Sequence, residues 1–69
     1  MIETRLLIPT LQTDDDASAV MFELQDLPCV HEAGVKLPAR TAWVRHTAMM
    51  SPEDIVAKLL DAGIVAEVL

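Results

Sequence analysis

A chain of 69 residues carries one small core, near the lower limit at which apolar burial alone suffices for folding. At 52% apolar residues it is no disordered segment, and no run approaches the roughly 18 apolar residues of a membrane span. Eleven acids against five bases give a net charge of −6, which excludes the basic face that phosphate binding needs, so no nucleic-acid partner is expected.

The single cysteine, Cys29, excludes a disulfide-stapled scaffold. Met1-Ile2-Glu3-Thr4-Arg5 has no basic region leading into an apolar stretch, so no targeting leader is expected and a cytoplasmic location is. Two histidines, one cysteine and no Gly-rich loop leave no nucleophile–base pair, so the chain is expected not to be an enzyme.

Residues 1–69 contain no linker or repeat and read as one domain of six short elements. Arg5-Leu6-Leu7-Ile8 is β-prone and stops at Pro9. Thr13-Asp14-Asp15-Asp16 is suited to capping a helix, which follows from Ala17 to Asp26 with Ala17, Val20, Leu24 and Leu27 on one stripe. Val30 to Leu37 and Thr41 to His46 alternate with period two, and Pro38-Ala39-Arg40 turns between them, pairing Leu37 with Ala42. Ser51-Pro52-Glu53-Asp54 opens a second helix whose stripe is Ile55, Leu59 and Ala62, and Gly63 closes it. Ile64 to Leu69 is a last strand.

The order βαββαβ predicts an α+β, ferredoxin-like two-layer sandwich. Its four-stranded antiparallel sheet has order 4-1-3-2, with two helices on one face. The β1–α1 loop, the hairpin turn and the α2–β4 turn lie at one end. Cys29, Met49, Met50 and the chain termini lie at the other.

Several segments, in order and at matching spacing, resemble the heavy-metal-associated domain of copper chaperones and metal-pumping ATPases. Leu27-Pro28-Cys29-Val30 stands where that family has Leu-Pro-Gly-Val. Val35-Lys36-Leu37-Pro38-Ala39 is similar to its hairpin. Ser51-Pro52-Glu53-Asp54-Ile55 and Asp61-Ala62-Gly63-Ile64-Val65-Ala66-Glu67-Val68-Leu69 are similar to its second helix start and its ending. The resemblance implies a metal-handling module. It also implies a site for Cu(I), Zn(II) or a similar soft ion at Met-x-Cys-x-x-Cys in the first loop. Here Leu11 stands at the methionine position, and Thr13 and Asp16 at the cysteine positions, so no thiolate is present there. Ile64 replaces the tyrosine that often sits nearby.

Three groups of residues are candidates for function. Asp14, Asp15 and Asp16 read either as helix capping or as oxygen ligands for a divalent cation. Cys29, His31, His46 and Met49, with Met50, form a second cluster suited to Cu or Zn. With Leu37 opposite Ala42, His46 falls opposite Ala33 and diagonal to His31 on one face; the alternative is that these side chains simply pack there.

Leu7, Trp43, Val65 and Leu69 point away from the helices, and Phe22 lies about 180° from the helix 1 stripe. These five are the expected interface for a protein partner or a second copy. No organic cofactor is implied; a divalent or Cu/Zn-type ion is what either cluster would take. Two functions follow: a metal-handling module whose usual soft-metal site is lost or replaced, or a non-metal interaction or regulatory domain that docks through the outer sheet face.

Overall fold

The computed structural model describes all 69 residues, Met1–Leu69. The elements are β1 (Ile2–Leu7), α1 (Asp14–Gln25), β2 (Val30–Lys36), β3 (Thr41–His46), α2 (Pro52–Asp61) and β4 (Glu67–Val68). The strands form one antiparallel sheet in the order β2-β3-β1-β4, which is the expected order read from the other edge.

Alternation on the two central strands places the core. Leu6 and Ile8 of the first strand region and Ala42 and Val44 of β3 are buried toward the helices. Val20 and Leu24 of α1 and Ile55 and Leu59 of α2 close over them, and Leu11 and Ala66 complete one cluster of ten buried residues. At about 25 cal/mol per Å² of apolar surface removed from water, this cluster is the main favourable contribution in so short a chain.

Each helix starts at a capping box. The Thr13 hydroxyl accepts from Asp16 N–H, and the Asp16 carboxylate accepts from Thr13 N–H. Ser51 and Asp54 repeat the arrangement, with Pro52 in the first turn of α2. The Thr13 and Asp16 side chains thus cap α1 together, and the three aspartates that were expected to precede the helix form its first turn, beside the positive end of its dipole.

β1 begins three residues earlier than expected, because Ile2, Glu3 and Thr4 pair with His46, Arg45 and Val44. β4 is shorter than the expected span from Ile64 to Leu69. Gly63, at φ 85°, turns the chain so that Ile64 N–H donates to Leu59 carbonyl at 2.8 Å and closes the end of α2. That donor is therefore unavailable to the sheet, and pairing resumes only at Glu67.

The hairpin register also differs from expectation. Val35, not Leu37, pairs with Ala42, and Lys36 pairs with Thr41. The turn spans Leu37 to Arg40, with Arg40 N–H donating to Leu37 carbonyl at 3.1 Å. Pro38 takes the position where its fixed φ favours such a turn, and Arg40 adopts a positive φ of 54°. Moving Leu37 from strand to turn shifts the pairing by two residues. A bulge between Val30 and Glu32 then leaves His31 without a partner on β3 and sets Val30 opposite His46.

Ser51→Ala removes the hydroxyl that caps α2. It is expected to lower stability by about 1 kcal/mol, read as a lower urea midpoint at unchanged slope.

Candidate functional site

The first loop carries the residues aligned with the family's metal ligands, and each has a structural partner. Leu11 is buried in the core cluster. Thr13 Oγ1 accepts from Asp16 N–H at 3.2 Å. Asp16 Oδ2 accepts from Gln12 N–H at 3.1 Å and from Thr13 N–H at 3.2 Å. Asp14 and Asp15 are exposed on the first turn of α1. The three aspartates do not converge with one another, or with another acid or imidazole, into a group able to hold a metal ion.

The opposite end brings together fewer residues than the expected pairing implied. His46 is fully buried on the core face, where Nδ1 donates to Thr47 carbonyl at 2.8 Å. In the neutral ring, Nε2 then accepts from the Thr4 hydroxyl at 2.7 Å. Both ring nitrogens are therefore engaged. His31 sits exposed at the bulge, so the expected diagonal pair of imidazoles does not form. Cys29 is buried, with its carbonyl accepting from Thr47 N–H at 3.0 Å. Met49 is exposed, and Met50 packs against the core.

The outer sheet face holds the largest concentration of unusual side chains. Trp43 stands opposite Gly34 on the neighbouring strand, and its ring lies across that glycine. A Cβ at residue 34 would sit 2.4 Å from Trp43 Nε1 and 2.5 Å from Cε2, so only glycine admits the ring there. The Arg45 guanidinium lies 5.9 Å from the ring centroid and 3.8 Å from the Glu32 carboxylate. Around Trp43 is a shallow depression of about 330 Å³, lined by Glu3, Arg5, Lys36, Thr41, Ala42, Arg45 and Leu69.

Leu7 and Trp43 are half-buried, whereas Val65 and Leu69 are exposed. Around Trp43 this face carries Arg5, Lys36 and Arg45 together with Glu3, Glu32 and Leu69. Arg5, Lys36 and Arg45 were missed as members of the face, although the same period-two alternation that placed Trp43 there also places them. Phe22 is 70% exposed, but it lies on the helix layer, on the other side of the molecule from Trp43.

No protein-family model matches the chain, and no curated protein matches it in sequence. Solved structures match it in shape. A copper binding domain from HMA7, a P-type ATPase, is similar with a TM-score of 0.93 and 26% identity, over 100% of this chain and 95% of that one. NmerA, the N-terminal HMA domain of Tn501 mercuric reductase, is similar with a TM-score of 0.85 and 29% identity, over 96% of each chain. A chain of the Atx1–Cu(I)–Ccc2a complex is similar with a TM-score of 0.86 and 18% identity, over 97% of this chain and 93% of that one. The protein has the heavy-metal-associated fold, with Cys29 as its single cysteine and without the paired-cysteine motif. No helix is long and apolar enough to cross a membrane.

Two substitutions test this geometry. Gly34→Ala is expected to push the Trp43 ring off the sheet while the fold remains. The readout is a red-shifted emission and greater access to iodide, with an unchanged far-ultraviolet spectrum. Thr4→Val leaves the buried His46 Nε2 without its donor and is expected to cost about 1–3 kcal/mol in thermal or urea unfolding.

Proposed function

We propose that this protein is a cytoplasmic, non-catalytic domain of the metallochaperone or metal-ATPase N-terminal type, in which the first loop no longer serves as a soft-metal site. The observation that carries this reading is the Thr13–Asp16 capping box, because the two residues at the ligand positions are bonded to each other's backbone. Their oxygens are hard donors that suit Cu(I) poorly, whereas thiolates suit it well. The likeness to HMA7 and NmerA supports the metal-handling setting, and the likeness to a chain of the Atx1–Cu(I)–Ccc2a complex supports work through protein contact.

The wild-type chain is expected to lose a competition for Cu(I) against a chelator of moderate affinity. Thr13→Cys with Asp16→Cys is expected to win it. The N-cap and the residue three after it lie on one side of the helix end, and the helix N-terminus favours thiolate. The apo double variant loses the capping box and is expected to be about 1–2 kcal/mol less stable, with stability restored on adding the metal. Tight Cu(I) binding by the wild-type chain that persists in Cys29→Ser would overturn the reading.

A further inference from the structure

β2 lies at one edge of the sheet, with β3 as its one neighbouring strand. Which of its backbone groups are free follows from the ladder. The Arg5 carbonyl accepts from Leu69 N–H at 2.9 Å and so faces β4. Trp43, directly opposite Arg5, therefore turns its own N–H and carbonyl the other way, toward β2. Its partner Gly34 turns toward β3 in return, and so do Glu32 and Lys36, two residues to either side. The N–H and carbonyl groups of Ala33 and Val35 consequently point out from the sheet edge, where no strand of this chain meets them.

Exposed edges are ordinarily blunted by bulges or charges. The bulge between Val30 and Glu32 disrupts the start of β2, but Glu32 to Lys36 pair with β3 without a break. Side chains along this run sort by face. Ala33 and Val35 are half-buried and pack against the core. Glu32 and Lys36 are exposed on the outer face, on either side of Gly34. Glu32 lies 3.8 Å from Arg45 through one oxygen, and Lys36 has no ion-pair partner.

We propose that two copies of the chain pair β2 with β2, antiparallel about a two-fold axis at Gly34, and so join their sheets edge to edge. Ala33 of each copy then stands opposite Val35 of the other, and each such pair exchanges two backbone hydrogen bonds. On the outer face each Glu32 stands opposite Lys36 of the second copy, keeping its other oxygen for Arg45. The order Glu-x-Gly-x-Lys is its own complement when reversed, and this selects a second copy over an unrelated extended peptide. Other axes lose that match. An axis at Ala33 or Val35 sets no opposite charges together, and one at Glu32 or Lys36 sets like charges together. A two-fold contact of this kind closes on itself, so assembly stops at the dimer.

Sedimentation velocity over a concentration series reaching millimolar tests this, at about 0.15 M salt, where the Debye length of about 8 Å screens the repulsion between two chains of net charge −6. The wild-type chain is expected to reach a dimer and grow no further. Glu32→Lys and Lys36→Glu each make both cross-strand pairs repulsive, and each is expected to weaken self-association about tenfold while the far-ultraviolet spectrum stays native. Combining the two substitutions in one chain restores both pairs at unchanged net charge, and that variant is expected to dimerise as the wild type does. Ala33→Pro removes an outward N–H that the domain's own sheet does not use, and is expected to abolish the dimer with the fold retained. A wild-type chain that stays monomeric throughout would overturn the proposal. So would a doubly substituted chain that associates no better than the single variants, or a folded Ala33→Pro variant that still dimerises.

Discussion

Alternation along β1 and β3 governs the rest of this molecule. Leu6, Ile8, Ala42 and Val44 all reach the helices and form the sheet side of the ten-residue core. Once they do, Arg5, Trp43 and Arg45 are committed to the opposite face. The core and the charged aromatic surface are thus one decision, made residue by residue along the same two strands. Helix positions follow from it, since Val20, Leu24, Ile55 and Leu59 pack on this apolar surface.

The first loop carries helix-capping residues at the positions where the family that the sequence resembles has its metal ligands. In the family that the sequence resembles, the start of α1 presents two cysteines. Here the same positions hold a hydroxyl and a carboxylate that satisfy the free N–H groups of that helix end. The replacement is locally stabilising and leaves the backbone route intact, which is consistent with TM-scores of 0.85 and above at 18–29% identity.

Much of this was legible in the residues. Apolar spacing located both helices, the βαββαβ order implied the sheet order, and Ser51-Pro52-Glu53-Asp54 located the start of α2 within a residue. What was not legible depended on single backbone hydrogen bonds. The short β4 follows from one donor, Ile64 N–H, being used by the helix end. The two-residue error in the β2–β3 hairpin, and with it the expected meeting of His31 and His46, follows from Leu37 closing the turn. The apolar pattern cannot detect such a slip, because moving by two returns every side chain to the same face. On the outer surface the aromatic residues drew attention and their charged neighbours did not, although one rule placed both.

The same degeneracy gives the buried Thr4–His46 pair a role that its energy alone would not suggest. Between β1 and β3, a shift of two residues would exchange one aliphatic contact for another at little cost. It would also part the Thr4 hydroxyl from the imidazole and leave a fully buried ring nitrogen without a partner. Aliphatic rows accept several alignments, whereas a hydroxyl and a ring nitrogen accept one. This single polar contact therefore works as a register key for the two central strands, selecting among alignments that oily side chains cannot tell apart. The β2–β3 pair has a key of another kind, since only Gly34 admits the Trp43 ring across it and a slip of two residues would set a larger residue there.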